Sequence, residues 1–399
     1  MGKLKRISFL FLLIIVGATA YYMLNQNDQT IPYTNNQPQS NKTDRGSFDI
    51  APAPVIVLNN DLFQEIESRK GHDIGYIAND YEKAIYVIDL SSEQYLGKIV
   101  FDADEPRGGP SYIAITPDSR YFIVTRAEFS NDILVFDSRS FELVKQIPGG
   151  KYNDYIVVNP VRNEAYILSG NYQDTSVYVL DLQSLSISRT FEIGYELGTA
   201  DISPDGDILY ITTSAGVSYV DISSGEIVRE VPMDTTYWKR VVVNPANGYI
   251  YVVNNPDIEN RWPSIQVFNT SGESINRIEN LTAETTWNGG ITSLAITPSG
   301  DLLFSVSQMN ELTIINATTS QKISNLSVKQ PNYYGNPSWI YFNPQGTKVY
   351  FIYWGAVPID SSGSDSPSIV CVMDLTSYRF SNTIRLDEHA GAGPMAILK

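Results

Sequence analysis

From residue 76 onward, apolar residues fall in short β-branched and aromatic runs that return at a nearly constant interval. One run opens on an aromatic: Tyr76-Ile-Ala-Asn, Phe122-Ile-Val-Thr, Tyr166-Ile-Leu-Ser, Tyr210-Ile-Thr-Thr, Tyr251-Val-Val-Asn, Phe304-Ser-Val-Ser and Tyr350-Phe-Ile-Tyr. Successive copies are 46, 44, 44, 41, 53 and 46 residues apart. A second run ends in Asp or Asn after two apolar residues, at Asp89, Asp137, Asp181, Asp221, Asn269, Asn316 and Asp374. A third box places Pro before a turn: Thr116-Pro117-Asp118, Asn159-Pro160, Ser203-Pro204-Asp205-Gly206, Asn244-Pro245, Thr297-Pro298-Ser299-Gly300 and Asn343-Pro344-Gln345-Gly346. Each unit therefore reads strand, Pro/Gly turn, strand, loop, strand ending in Asp, short turn, strand. Pro presets φ in these turns, and Gly or Asn accepts positive φ.

Four short strands in 41–53 residues is the period of a propeller blade. A solenoid fits less well, because no repeat carries a helix; the only short helix predicted is Leu62–Ser68. The third box has six copies where the others have seven, and the missing one lies at the C-terminus. There Gly393-Pro394-Met395-Ala396-Ile397-Leu398 matches Gly109-Pro110-Ser111-Tyr112-Ile113-Ala114-Ile115, which opens a blade. The chain is thus expected to end on the innermost strand of the blade begun by residues 76–101, which closes the ring and removes exposed edges. The prediction is an all-β, seven-bladed propeller over 76–399, preceded by a lead-in at 55–75.

The N-terminus has a different pattern. Lys3, Lys5 and Arg6 precede an uncharged apolar run from Ile7 to Leu24, 18 residues or roughly 27 Å as a helix. Ala18-Thr19-Ala20 resembles a cleavage site before Tyr21, so residues 1–24 read either as an uncleaved transmembrane signal anchor or as a signal peptide removed after Ala20. Both export the rest of the chain. Residues 25–54 are rich in Asn, Gln, Thr, Ser and Pro without apolar periodicity, and are expected to form a disordered polar stalk. Export gives meaning to the N-x-S/T sequons at Asn41, Asn269, Asn280, Asn316 and Asn325, which are candidate glycosylation sites.

The boxes resemble the YVTN-type β-propeller repeats of archaeal and bacterial surface-layer and YncE-like proteins. The matching words are Tyr251-Val-Val-Asn254, Ser203-Pro-Asp-Gly206 and Val87-Ile-Asp-Leu90, and the resemblance spans residues 76–398, about four fifths of the chain. It implies a seven-bladed, secreted or surface-displayed, WD40-like protein. The chain departs from the family pattern in the inserts Asn255–Pro263 and Val357–Pro367.

Composition narrows the chemistry. Of 399 residues, 28 are basic and 44 acidic, a net charge of −16. Residues 1–24 hold three of the bases and no acid, leaving −19 on the remainder, which argues against a nucleic-acid partner and against docking on anionic lipid. The lone Cys371, beside the apolar Ile369-Val370, reads as a buried small hydrophobe, and no CxxC knuckle or disulfide can form. His72 and His389 are the only histidines and read as loop residues. Asp205-Gly-Asp207 and Asp360-Ser-Ser-Gly-Ser-Asp365 lack the spacing of a calcium loop. No cofactor and no metal site is expected. The recurring Asp that closes the second box is expected to cap the following turn, not to form a ring of functional carboxylates.

The connections between blades are more informative. They carry Arg107, Tyr152, Tyr155, Tyr195, Trp238, Lys239, Arg240, Trp287 and Tyr334, with Asp387-Glu388-His389 at the last. The loops between second and third strands add Phe129, Tyr172, Trp262 and Trp354, and Trp339 opens an inner strand. In a propeller both loop classes share one face, so all five tryptophans map there. Aromatics mixed with Arg, Lys and Asn suit a protein, peptide or glycan ligand; alternatively these rings plug the channel and pack loop to loop. The expected function is an exported binding module at the channel mouth. Two alternatives are a lactonase-like propeller hydrolase, using His389, Glu388, Asp387, Arg107 and Arg240, and an envelope or surface-layer scaffold.

Overall fold

The chain divides into two units, Met1–Ser47 and Phe48–Lys399. The computed structural model describes residues 55–57, 60–102, 109–126, 132–149, 153–170, 174–233, 240–255, 263–281, 290–355, 357–358, 367–386 and 391–398, all in the second unit. The expected anchor at 7–24 and the expected stalk at 25–54 lie outside the described residues. Among the described residues no helix is long and apolar enough to cross a membrane.

Seven antiparallel sheets follow one another along the chain, six with four strands and one with five. In blades 2 to 7 the strands pair in chain order from an inner first strand to an outer fourth. The inner strands are Pro110–Ile115, Asn153–Val158, Leu197–Ile202, Val241–Val243, Ile291–Ile296 and Pro337–Phe342. Blade 1 is composite. Its inner strand is the C-terminal Ala392–Leu398, paired with Ile74–Asn79 in the register Tyr76↔Ala396 and Ile77↔Met395. The inner strands touch in an unbroken cycle around the ring. The closure expected from Gly393-Pro394 is therefore present.

One strand was not expected. Val55–Val57 adds a fifth, outermost strand to blade 1, pairing Val55 with Asp102 and Val57 with Val100. The helix Asn60–Ser68 follows it and packs Leu62 and Ile66 against the same blade. The propeller thus begins about twenty residues before the first repeat box.

Burial explains the repeat. Second and third strands face a neighbouring sheet on both sides, so Ile74–Asn79 and Ala84–Asp89 are buried at every position. That is why they read as continuous apolar runs instead of alternating ones. Fourth strands meet solvent and are polar: Ile227–Pro232 and Ser274–Ile278 expose Arg229, Glu230, Asn276 and Arg277. Charged side chains on an outer edge disfavour pairing with another sheet.

The recurring Asp/Asn acts as the turn cap in all seven blades. Asp137 Oδ1 accepts from the amides of Arg139 and Ser140, Asn316 Oδ1 from Thr318 and Thr319, and Asp374 Oδ1 from Thr376 and Ser377. Asp89, Asp181, Asp221 and Asn269 accept from the amides of Ser92, Ser184, Ser224 and Glu273. The Pro boxes also link blades: Asn159 Nδ2 donates to the Gly206 carbonyl of the next blade and Asn244 Nδ2 to that of Gly300, at 3.0 and 2.9 Å.

Candidate functional site

Inner strands line the axis of the ring, and their side chains decide what the channel contains. In six of the seven blades the pairing of first and second strands slips near the loop-face end. The shifts fall at Pro110/Tyr112, Leu168/Ser169, Leu197/Ala200, Ile291/Ser293, Pro337/Trp339 and Ile77/Asn79. An extra residue on one strand bends it and re-aims the side chains that follow. Tyr112 and Trp339 stand immediately after such shifts, in the matching words Pro110-Ser111-Tyr112 and Pro337-Ser338-Trp339.

These two rings meet edge to face across the end of blade 1, with centroids 5.7 Å apart and planes at 84°. Tyr112 also packs on Tyr155 of blade 3, at 5.0 Å. From the other side, the Arg240 guanidinium at the entrance of blade 5 lies 4.1 Å from the centroid of the Trp339 ring. Its Nη2 donates to the Ser338 carbonyl at 3.5 Å. Trp339 belongs to blade 7, so both contacts skip a blade and reach over the inner strand between. At this level aromatic rings and one cation line the channel.

Asp201, on the inner strand of blade 4, stands in the same region. Its Oδ1 accepts from the Ile202 amide at 2.8 Å, and its Oδ2 from the Val243 amide of blade 5 at 2.7 Å. Enclosure by protein raises its carboxyl to about 6, with those two amides opposing the rise. Desolvation also pushes the Tyr155 hydroxyl well above the usual phenol range; Tyr112 and Asp201 add to the shift and Arg240 opposes it. Tyr341, two residues after Trp339, is raised by desolvation too, against a hydrogen bond with the Met395 backbone. The channel leaves these side chains some accessible surface, yet protein surrounds them, and the second fact governs their ionisation.

Of the residues predicted for a binding face, the structure brings Tyr155, Arg240 and Trp339 together in the channel. Tyr195 is elsewhere: it is half-buried and packs on the apolar seam between blades 3 and 4. Trp354 is 57% exposed on the loop after the second strand of blade 7. Tyr333–Tyr334 pairs with Val357–Pro358 as a two-stranded ribbon, which joins the entrance of blade 7 to that same loop. Arg107, Tyr152, Trp238, Lys239, Trp262 and Trp287 lie outside the described residues, as do Asp387, Glu388 and His389. Of the hydrolase cluster only Arg240 is described, and it is stacked on Trp339.

Sequence reasoning missed Tyr112, Asp201, Tyr341 and Tyr81. The Pro-Ser-aromatic word shared with Trp339 marks Tyr112. Tyr81, on the second-to-third loop of blade 1, is 80% exposed. It neighbours Gly391, whose absent Cβ would stand 2.9 Å from the Tyr81 Cβ. The next residue, Ala392, donates its amide to Ser368 Oγ, where the blade 7 loop returns to its sheet. Tyr81 and Trp354 therefore flank the seam at which the ring closes.

Other predicted positions are accounted for locally. Cys371 is fully buried, and desolvation pushes its thiol up to about 12. His72 is not a free loop residue: its Nδ1 is 2.7 Å from Asp89 Oδ2, which Arg69 also engages. Of the sequons, Asn280 and Asn325 are exposed, while Asn269 and Asn316 are half-buried in their turn caps; Asn41 lies outside the described residues. Among the described residues no group of His, Cys, Asp and Glu side chains is placed to hold a metal.

No family model and no curated protein matches the sequence. The fold is similar to a chain of Kuenenia stuttgartiensis Hydrazine Synthase, with a TM-score of 0.60 and 17% identity over 87% of this chain and 99% of that one. It is also similar to Dihydro-heme d1 dehydrogenase NirN in complex with DHE, with a TM-score of 0.54 and 12% identity over 79% of this chain and 73% of that one. At these identities the likeness is one of fold.

Proposed function

We propose that this protein is an exported β-propeller that acts as a binding module at the cell surface, taking a protein, peptide or glycan ligand on its loop face. The observation that carries the reading is the pair Tyr81 and Trp354, 80% and 57% exposed on adjacent blades at the closing seam. Isolated exposed apolar residues are common, but two large rings flanking one seam offer the flat amphipathic area that recognition surfaces use. The resemblance to YVTN-type surface-layer and YncE-like repeats agrees with surface display. The Lys3, Lys5, Arg6 and Ile7–Leu24 pattern supports a membrane tether through the N-terminus, or secretion if the chain is cut after Ala20. The net charge of −16 disfavours nucleic acid as the ligand.

A propeller hydrolase is less well supported. Asp201, the channel carboxylate, is held by two backbone amides and links blades 4 and 5, and Arg240 is engaged by Trp339. The test is a paired peptide and glycan array probed with the full-length chain and with its Tyr81→Ala/Trp354→Ala variant. The reading expects at least one ligand class to be bound, with signal about tenfold lower for the variant. Identical profiles for the two proteins, or no signal for either, would refute it.

A further inference from the structure

We propose that the channel holds a carboxylate-binding site centred on Arg240, and that it takes an acidic side chain or terminal carboxylate of a peptide. This deepens the binding-module reading and rests on it.

The first observation is the unmet hydrogen-bonding capacity of Arg240. A guanidinium has five N–H donors in a rigid fork. At Arg240, among the described residues, one of them makes a single long hydrogen bond, 3.5 Å to the Ser338 carbonyl, and no carboxylate pairs with it. The other buried or half-buried arginines among the described residues all pair with acids: Arg69 with Glu65 and Asp89, Arg126 with Asp132, Arg162 with Asp207 and Arg189 with Glu164. In a protein with 44 acidic and 28 basic residues, a half-buried cation without an acid stands apart. Leaving a partly desolvated charge unpaired is costly, so the site has an unmet demand for an anion.

The second observation is preorganisation. Trp339 supports the guanidinium at 4.1 Å from its ring centroid. A cation lying over a ring face keeps its N–H edges free, and a planar fork is the geometry that matches a carboxylate. Tyr112 and Tyr155 close the space beside Trp339. Tyr155 feels the charge of Arg240 and keeps its phenol proton, so it faces an incoming anion as a neutral group.

The ligand class follows from charge and shape. One described cation, within a chain of net −16, matches a single negative charge better than a phosphate dianion. A sugar ring needs an open aromatic face. Here Trp339 has a face against Arg240 and Tyr112 in edge-to-face contact, and Tyr112 is itself packed on Tyr155, so a narrow side chain fits better than a pyranose. Asp201 forms no ion pair with Arg240; its two oxygens accept from the Ile202 and Val243 amides instead.

The experiment titrates the full-length chain with Ac-Gly-Gly-Glu-Gly-Gly-amide, its Gln counterpart and trigalacturonate. The readout is the indole N–H resonances of the five tryptophans, with Trp339 assigned through Trp339→Phe. The expected result is a saturable shift of the Trp339 resonance with the Glu peptide and at least tenfold weaker binding of the Gln peptide. Arg240→Met should abolish the shift, Arg240→Lys should weaken binding about tenfold because the fork is lost, and Tyr81→Ala/Trp354→Ala should leave it unchanged. Circular dichroism melts verify that each variant is folded. Equal response to Glu and Gln peptides, or no response to any probe, overturns the proposal. An Arg240-dependent response to trigalacturonate alone overturns the peptide assignment in favour of an acidic sugar. Array binding that depends on Tyr81 and Trp354 but not on Arg240 leaves the loop-face reading standing while this inference fails.

Discussion

Met395 offers the sharpest test of how the ring is closed. It sits on the C-terminal strand, 4% exposed, opposite Ile77. Its cluster joins Ile77, Tyr86 and Ile88 of blade 1 to Tyr350, Ile352, Val370 and Val372 of blade 7. The residue that admits it is Gly75. That glycine does not have a left-handed φ, so what it supplies is space. A Cβ there would lie 2.9 Å from Met395 Sδ and 2.9 Å from Ile88 Cγ1. Met395→Ala removes a buried thioether and is expected to cost about 2–5 kcal/mol, the range for truncating a core residue to alanine. Gly75→Ala overpacks the same point and should cost about 1–3 kcal/mol. Together they should cost less than their sum by at least ~1 kcal/mol, because the shortened side chain vacates the volume the new methyl enters. Urea unfolding of the two single variants and the double, followed by far-ultraviolet circular dichroism, measures the cycle. Additivity within about 0.5 kcal/mol would refute the argument that Met395 and Gly75 share one space at the closing seam.

Four further outcomes follow from charges and strand edges. Arg126 and Asp132 are both fully buried and pair through Nε and Nη2, with Gln146 also donating to Asp132; Asp132→Ala should therefore cost about 3–5 kcal/mol in urea unfolding, and Arg126→Met/Asp132→Leu distinctly less. Burial opposes ionisation of Asp89, but hydrogen bonds from the Ser92 amide, His72, the Ser92 hydroxyl and Arg69 outweigh it and hold the carboxyl below the usual range. Its contribution is thus present above about pH 4 and lost as pH falls below that, and an acid titration of Asp89→Asn should show a shallower loss than wild type. Asp201 has the opposite sign: raised to about 6, it stabilises the fold below pH 4 and loses that contribution as pH rises to 6, so the wild-type advantage over Asp201→Asn should shrink by about 2–3 kcal/mol between pH 4 and 7. Deleting residues 391–399 removes the partner of Ile74–Asn79 and should yield a lower melting temperature and self-association on size-exclusion chromatography.

The fold was legible because its middle strands are under the same demand in every blade. Tyr76, Tyr166, Tyr251 and Tyr350 are each fully buried between sheets, so the aromatic that opens the run recurs. The cap at Asp137 or Asp374 recurs for an equally local reason, since its acceptors and donors are two or three residues apart. Val55–Val57 was not legible: three residues carry no periodicity, and what makes them a strand is the free edge of Gln94–Asp102. His72 read as a loop residue because Asp89, its partner, looks in sequence like the other six caps; only the packing of the Asn60–Ser68 segment brings Arg69 and His72 onto it. For the channel, equal phase in the repeat placed Arg240 and Tyr155 at the inner end of their blades. It did not say that Arg240 reaches Trp339, because that contact depends on side-chain length and not on position along the chain.

This contrast separates scaffold from site. Positions that repeat seven times solve a problem common to all blades, which is burial between sheets or capping of a turn. The inner-strand positions after the register shifts do not repeat. Blade 2 places Tyr112 there, blade 6 Ser293 and blade 7 Trp339, and in blade 4 Thr199 lies within the shift itself. Some of the departures serve closure of the ring: Thr199 Oγ1 accepts from the Val241 amide, and Ser293 Oγ from the Ile340 amide, each tying one inner strand to the next. Tyr112 and Trp339 meet edge to face, and Trp339 is the ring on which Arg240 rests. A scaffold alone has no need for an unpaired arginine held over a tryptophan in its own axis, since an apolar residue there would pack without a desolvation cost. The asymmetry of the inner ring, set against the regularity of the sheets around it, is the reason to test the channel and the seam beside it for the proposed binding.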